Sequence, residues 1–500
     1  MTVELDRIEV IVDRSEIAQR IEAALPIGVR PRQLSVRTLL LGMLLTQTDS
    51  RPAHLSRVHQ ALLELDEGTR QRLGVIVDWK QGPHPLTYRQ VERTFSLVVA
   101  ALANDVPDGT PTKLCQEVLD QLAESSVPIE TKNASHTLAV DWTDVESFST
   151  RRTKPNNVYA DQQAAWGHRK GGGPGEKDEL FFGYYLSLAT MVNDDSGAQV
   201  PELVRRMNLV ACDHDPVPPM VNVLVEMANK GIFLGDVVAD SGYAHRVPAH
   251  FALPLRAAGA TLVIDLHPSD RGTQGTHQGA ICCHGNLYCP MTPTALFDLF
   301  PLARGANQDL TAAHDQRCEE LACYKLGRVT TDDEDGYHRV ACPAVTGKVR
   351  CPLRKTSMTL PFDHPEILHP LEHPPICCTQ ATITVPPSVN AKTAQRHDYP
   401  GAAWRRSYTR RSAAERSNAR IKDPATINTA RGWCRVMGLA PMALWLAVAL
   451  CVRNLAVADA FSERQADNQR RAASGLAPKT RRRRRTTLRD LVNASNNAPP

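Results

Sequence analysis

The sequence predicts an α/β protein in which a mainly helical N-terminal region precedes a core of alternating strands and helices. Apolar residues recur at helical spacing within residues 1–135, as Leu55, Val58 and Leu62 show. From about residue 136, short β-branched strands alternate with helical stretches, which is typical of parallel pairing. Turn signals and cysteines then interrupt this alternation over 267–385.

Composition bounds the class of protein. The chain has 500 residues, enough for several domains, and 42% of them are apolar, which excludes wholesale disorder. The formal net charge of +4 hides an asymmetry, because residues 401–500 carry 20 Lys and Arg against 6 Asp and Glu. That segment is therefore +14 and the first 400 residues are −10. Such a split indicates nucleic acid or another acidic partner.

The predicted elements of the core follow from β-branched runs, turn residues and helix stops. Strands are expected over 137–143, 180–192, 236–240 and 260–266, and helices over 219–230 and 250–258. The predicted organisation is a helical domain over 1–135, a core in two parts over 136–266 and 386–460, a cysteine-rich β-type insertion over 267–385, and a basic, disordered tail over 461–500.

Two of these strands end on an aspartate, Asp141 and Asp240, which stand 99 positions apart. Taken alone, such residues more often cap the next element than perform chemistry. We favour Asp141 over its neighbours Asp144 and Glu146 because it ends the predicted apolar strand.

A four-residue stripe lies on the helix predicted over 402–423. Tyr408, Arg411, Glu415 and Lys422 point within about 60° of one another at ~100° per residue. A solvated face with an Arg411–Glu415 pair explains two of these residues but not the tyrosine or the distant lysine. Trp404 lies almost on the same face, and packing is favoured there over stacking on an unpaired base.

These residues resemble the DDE transposases of bacterial insertion sequences. The subgroup signature Y-(2)-R-(3)-E-(6)-K is matched without a gap by Tyr408, Arg411, Glu415 and Lys422. The resemblance covers about 136–460. It implies an RNase H-like core, which is a mixed sheet flanked by helices, interrupted by a β-rich insertion and preceded by an α-helical N-terminal domain.

The order of acidic residues also fits the family. The first Asp lies on the first core strand, as Asp141 does, and the second is often trailed by Gly-Tyr, as in Asp240-Ser241-Gly242-Tyr243. The Glu lies on a late helix. One departure is Trp142, which follows Asp141 where the family usually has a small pair such as Gly-Thr.

The resemblance implies Mg²⁺-dependent DNA strand cleavage at element ends and strand transfer to target DNA. Both steps are in-line displacements at phosphorus, which two hard divalent cations can assist. Asp141, Asp240 and Glu415 are the implied catalytic residues and metal ligands, for two Mg²⁺ ions that Mn²⁺ can replace. The implied partners are double-stranded DNA with terminal inverted repeats, target DNA and a second copy of the chain, as a homodimer on DNA.

Two groups of residues are expected to contact DNA. On the stripe, Arg411 and Lys422 would grip phosphates and Tyr408 would hydrogen-bond one. In the tail, salt-sensitive and sequence-blind contacts are expected from a run of five arginines, Arg481, Arg482, Arg483, Arg484 and Arg485.

The 13 cysteines are an odd number in a chain for which we predict a cytoplasmic, nucleoid-associated location. Cys289, Cys342 and Cys351 each precede a proline. A predicted hairpin at 345–348 could bring the last two together, which leaves zinc as an alternative. Buried reduced thiols are favoured because zinc sites usually show tight C-x2–4-C pairs, whereas eight residues separate Cys342 from Cys351. The histidines that could join such a site are not distinguished by the sequence: His284, His314, His338 and His364.

No signal peptide is visible, and the longest apolar run, 438–452, is shorter than the ~20 residues of a spanning helix, so we expect a buried helix and no membrane contact. Two other functions stay open: a catalytically inactive, transposase-derived DNA-binding protein, and an RNase H-like nuclease without strand transfer.

Overall fold

The computed structural model describes residues 2–27, 32–79, 82–103, 109–149, 159–169, 177–303, 305–423 and 427–479. It is a mixed α/β protein with a mixed sheet and helices, which confirms the predicted fold class at that level. The arginines at 481–485 lie outside the described residues.

The N-terminal region is helical, as predicted, with one small hairpin. Its elements are α1 (Thr2–Ser15), α2 (Ile17–Ala24), α3 (Val36–Thr48), α4 (Leu55–Leu63), α5 (Glu67–Arg72), β1 (Ile76–Trp79), β2 (Gly82–Pro85), α6 (Tyr88–Ala103) and α7 (Lys113–Ser125). Ser35 and Thr112 cap α3 and α7 by accepting a hydrogen bond from the N–H three residues on. Helix α3 is apolar almost all round because it is buried on nearly every side.

The central sheet follows. Its elements are β3 (Thr137–Glu146), β4 (Ala165–Arg169), β5 (Glu179–Val192), β6 (Val204–Ala211), α8 (Val217–Asn229), β7 (Asp236–Ala239), α9 (Ser241–Ala244), α10 (Ala252–Ala257) and β8 (Thr261–Ile264). Strands β3, β7 and β8 are parallel neighbours. The long strand β5 runs antiparallel to β3 on one edge and to β4 and β6 on the other. The predicted parallel pairing therefore holds for three strands only.

Strands β4 and β6 were not predicted. Strand β6 is buried along its whole length but carries Arg205, Arg206 and Asn208. These polar residues interrupt the apolar pattern from which a buried strand is predicted. Both arginines pair with Glu124 at 2.7 Å, which satisfies their charge inside the protein.

The insertion is not purely β. It holds two three-stranded antiparallel sheets and a sixteen-residue helix that the sequence did not predict. The elements are β9 (Thr273–His277), β10 (Ala280–Cys283), β11 (Asn286–Tyr288), α11 (Gln308–Cys323), β12 (Gly327–Arg328), β13 (His338–Ala341), α12 (Ile376–Thr379) and β14 (Thr382–Val385). The hairpin predicted at 345–348 is a series of turns without paired strands.

The chain then returns to the sheet through α13 (Ala402–Tyr408), a 3-10 turn (Thr409–Arg411), α14 (Ser412–Lys422) and α15 (Leu439–Ala473). The single helix predicted over 402–423 is thus divided by a tighter turn. The predicted tail boundary at 461 is also wrong, because α15 continues to Ala473.

Helix α15 is long and apolar enough to cross a membrane by length and composition, but 83% of its apolar window is buried inside the protein. It packs against α3 and α7 and against β6 of the sheet. The apolar run predicted to be a buried helix is therefore the central helix that joins the N-terminal helices to the sheet in one hydrophobic core.

Candidate active site

Asp141 lies in the middle of the sheet, beside the point where β7 ends. The parallel pairing of β3 with β7 stops at Val140 and Ala239, so the next residues, Asp141 and Asp240, lie side by side at the same edge. The prediction that Asp141 ends its strand is wrong, because pairing with β5 carries β3 on to Glu146. The Asp141 side chain is 15% exposed and faces helix α14.

Asp240 follows β7 directly, as predicted, and caps the short helix α9. One carboxylate oxygen accepts hydrogen bonds from the N–H groups of Gly242, at 2.9 Å, and Tyr243, at 3.3 Å. This fixes the carboxylate at the end of the strand and leaves its second oxygen directed toward Arg411.

Gly242 leaves room for the side chain of Trp142, which follows Asp141. A Cβ at position 242 would lie only 2.6 Å from the Trp142 indole. The ring of Trp142 also packs on Tyr243, with centroids 4.9 Å apart. The indole therefore covers the Asp240 turn closely, and the turn accommodates it because residue 242 has no side chain.

Arg411 brings the three predicted carboxylates together. Its guanidinium lies 2.5 Å from Glu415, one turn along the helix, and 3.8 Å from both Asp141 and Asp240. Carboxylates from β3, from the end of β7 and from α14 therefore surround a single cation. Because three negative groups share one positive group, the cluster carries an excess of negative charge.

Burial and, after it, the neighbouring carboxylate charge both disfavour the ionisation of Asp141. Burial, together with the nearby charge of Asp240, raises the pKa of Asp141 to about 7, although Arg411 opposes the rise. A carboxylate that resists ionisation without a further cation is typical of sites that bind cations or handle protons.

Asn418 is a site residue that the sequence did not reveal. Its amide nitrogen donates to Asp141 at 3.2 Å, whereas its amide oxygen is buried and has no hydrogen-bond partner among the described residues. It stands three residues after Glu415 and so faces the same side of α14. This spacing was the only available signal, and asparagine is too common for it to single out the residue.

The donor set suits a hard divalent cation. It consists of three carboxylates and one unpaired buried amide oxygen, all of them oxygen donors, which Mg²⁺ and Mn²⁺ prefer. The excess of negative charge in the cluster also favours the binding of a cation.

Lys422 and Tyr408 lie beside this cluster rather than in it. Lys422 donates to Asp144 at 2.6 Å. The Tyr408 ring stacks on Trp404 with centroids 4.9 Å apart, and the Arg411 guanidinium lies 5.9 Å from the ring. Burial raises the pKa of Tyr408, so its hydroxyl stays protonated and able to donate a hydrogen bond.

The two competitors of Asp141 are engaged elsewhere. Asp144 and Glu146 both bind Arg169. Although burial opposes it, hydrogen bonds from Arg169 and Lys422 keep the pKa of Asp144 below its ordinary value. Asp144 is therefore a neutralised partner of cations, in contrast to Asp141.

Trp404 is 4% exposed, and its indole N–H donates to the carbonyl of Ile264 at 3.0 Å. It packs in the core as expected, and its ring is not available to stack on a base.

Buried polar contacts fix helix α14 on the sheet. Ser417 accepts hydrogen bonds from Thr190 of β5, at 3.0 Å, and from Arg453 of α15, at 2.7 Å. Just before α14, Arg410 binds the buried Asp236 at 2.8 Å. These contacts hold Arg411, Glu415 and Asn418 against the strand ends on a rigid support.

One further group of possible ligands was not predicted. His245, His267 and Asp270 form the only such group in the described ranges whose ligand atoms all lie within 4.8 Å of one another. Its mixed nitrogen and oxygen donors differ from the all-oxygen cluster around Arg411.

Neither a scan against protein-family models nor a search of curated proteins found a match to this chain. The class of site is therefore defined by its geometry: an acidic, oxygen-rich cluster at the point where the parallel pairing of β3 with β7 stops, completed by Glu415 and Asn418 of α14.

Proposed function

We propose that this protein is a DDE transposase of an insertion sequence. One observation carries the proposal: the Arg411 guanidinium contacts carboxylates from three separate elements, namely the Glu of the spaced motif and the two strand aspartates predicted with it. Residues so far apart in sequence have no structural need to share one cation. A solvated helix face would not include Asp141 and Asp240.

The sheet supports an RNase H-like core. Strands β3, β5 and β6 form an antiparallel meander, and β7 and β8 add on the other side of β3 in parallel. Residues 267–385 then lie between β8 and the Glu-bearing helix, where the family carries its insertion. In this order the first Asp lies on the first strand, β3, and the second Asp directly follows β7, the parallel neighbour of β3.

In the proposed site, Asp141, Asp240 and Glu415 would hold two Mg²⁺ ions, which Mn²⁺ can replace. When bound, the ions activate the attacking oxygen and stabilise the leaving oxygen of an in-line displacement at a DNA phosphate. The unpaired Asn418 amide oxygen would accept a hydrogen bond from a water or a DNA hydroxyl in the site.

The chain's own cations prepare the site. Arg411 neutralises part of the carboxylate charge in the protein without DNA, and once metal takes over that role its guanidinium is free to grip a phosphate beside the scissile bond. Lys422 is only partly buried and can exchange Asp144 for phosphate in the same way. The Tyr408 hydroxyl would donate to a neighbouring phosphate.

Outside the site, the proposal includes the arginines at 481–485 as sequence-blind phosphate contacts. Two element ends must be joined in concert, so we propose a homodimer on DNA, acting in the cytoplasm at the nucleoid.

The experiment uses the DNA that flanks the gene. Short inverted repeats are sought on either side, and duplexes carrying them are incubated with the purified chain in Mg²⁺ and in EDTA. The proposal predicts a nick at the repeat end and joined products with a target plasmid, both only in Mg²⁺.

The other two functions give different products. Cleavage without joined products would indicate a nuclease, and retarded mobility of the repeat DNA without any cleavage would indicate an inactive DNA-binding protein. Either result would contradict the proposal.

A further inference from the structure

The three Cys-Pro steps of the insertion fold into the same local structure. In each, the N–H of the third residue after the cysteine donates to the cysteine carbonyl, which closes a β-turn with proline at its second position. The three bonds are Thr292 to Cys289 at 3.0 Å, Val345 to Cys342 at 2.9 Å and Arg354 to Cys351 at 2.9 Å.

Each turn also directs backbone N–H groups at its own sulfur. Burial, and for Cys289 first the interaction with Cys378, raises the pKa of Cys289, Cys342 and Cys351. The N–H groups of Met291, Ala344 and Leu353, each two residues after a cysteine, oppose that rise. A turn whose amides stabilise a thiolate prepares a cysteine to bind a soft metal ion.

The three cysteines belong to one buried cluster, and a fourth cysteine, Cys378 of α12, interacts with the thiol of Cys289. All four are buried, with exposures of 3–8%. The adjacent Cys377 has its sulfur 4.0 Å from that of Cys378.

We propose that Cys289, Cys342, Cys351 and Cys378 form a four-sulfur structural zinc site. Four thiolates with no open position are the donor set of structural Zn²⁺. The thiols are not mutually within 4.8 Å, so binding at Zn–S distances of ~2.3 Å would draw the sulfurs together by side-chain rotation.

The position of the proposed zinc site suits a structural role, which is to link the two small sheets of the insertion. Cys289 follows β11 of one small sheet, Cys342 follows β13 of the other, and Cys378 precedes β14. The insertion has only two small hydrophobic clusters, and one of them, with Leu287 and Ile383, is shared by the two sheets. A metal that ties the sheets together would supply the stability that so little apolar burial cannot.

A disulfide framework is the weaker explanation. All thirteen cysteines are free. Four thiols that meet from four segments suit a tetrahedral ion, whereas disulfides would join them only in pairs.

The test measures metal directly and does not depend on the proposed transposase activity. The full chain is expressed, washed with a weak chelator and analysed for zinc by mass spectrometry. We expect one zinc per chain, lost by at least tenfold in Cys289→Ser, Cys342→Ser, Cys351→Ser and Cys378→Ser. The matched control, Cys377→Ser, keeps its zinc because Cys377 is not among the four ligands.

A second readout covers variants that fail to fold. Wild-type chain reconstituted with Co²⁺ should show sulfur-to-cobalt charge-transfer bands and the visible bands of tetrahedral Co²⁺, which added Zn²⁺ abolishes. Wild-type protein that lacks zinc and gives no cobalt spectrum would overturn the proposal. Zinc lost from Cys377→Ser but retained by Cys378→Ser would also overturn this ligand set.

Discussion

Replacing Asp141 by asparagine should stabilise the metal-free protein while it abolishes DNA cleavage. Burial and the charge of Asp240 raise the pKa of Asp141 to about 7, and an ordinary aspartate titrates near ~3.9. The unfolded chain thus loses this proton at lower pH than the folded chain, so stability decreases as pH rises through that window. Asparagine has no such proton to lose.

The size of the effect follows from the width of the window. The folded and unfolded pKa values of Asp141 differ by about three pH units, at ~1.36 kcal/mol each. Above pH ~7, ionisation of Asp141 therefore lowers the free energy of unfolding by at most about 4 kcal/mol. The side chain is mostly buried, so solvent screening removes little of this. Asparagine can also keep the hydrogen bonds, because its oxygen can accept from the Trp142 N–H and the Asn418 amide can reverse.

Thermal unfolding in EDTA, followed at several pH values between about 5 and 8.5, measures the effect. We expect the free energy of unfolding of Asp141→Asn to be larger than that of wild type. The difference should grow by about 2–3 kcal/mol between pH ~5 and ~8. Added Mg²⁺ should stabilise wild type and leave the variant unchanged.

Asp144 provides a matched control on the same strand. Hydrogen bonds from Arg169 and Lys422 outweigh burial and lower the pKa of Asp144, so its stabilisation is lost as pH falls. Asp144→Asn should therefore destabilise the protein at neutral pH. An Asp141→Asn variant that is less stable than wild type at pH ~8, or whose difference does not change with pH, would refute the reasoning.

Three further predictions concern the surroundings of the site. Gly242→Ala should destabilise by about 1–3 kcal/mol because its Cβ meets the Trp142 indole at 2.6 Å, and Trp142→Leu in the same chain should restore stability; urea unfolding measures both. Arg410→Ala should cost about 3 kcal/mol in the same assay because it removes a buried partner of Asp236, and an unchanged midpoint would contradict this. Deleting residues 480–500 should reduce the salt slope of DNA binding by about 5, since six cations are lost there; an equal slope would exclude phosphate contacts by this segment.

Much of the site could be predicted because its residues belong to a spaced motif. Arg411 and Glu415 belong to that motif, and Asp240 follows a short strand as predicted. Asp141 lies beside Arg411, as the preference over Asp144 and Glu146 requires, although it does not end its strand. Strand β3 continues past Asp141 because β5 is long enough to pair with it to Glu146, and a local pattern does not show a partner's length.

Other features depend on contacts that no local pattern reveals. Strand β6 was missed because buried Arg205 and Arg206 break its apolar pattern, and their partner Glu124 lies far away in sequence. The 3-10 turn at Thr409–Arg411 contains no glycine or proline that would mark it. Lys422 was placed on the stripe, but only the fold shows that Asp144 binds it.

The most direct test of the central claim is single-turnover cleavage of a labelled duplex that carries the element end. Wild type, Asp141→Asn, Asp240→Asn and Glu415→Gln are compared in Mg²⁺, with Asp309→Asn and Glu463→Gln as exposed controls outside the cluster. We predict that each of the three cluster variants loses at least ~100-fold in rate while both controls cleave as wild type does. Cleavage at the wild-type rate by any of the three would contradict the claim that these carboxylates form the active site.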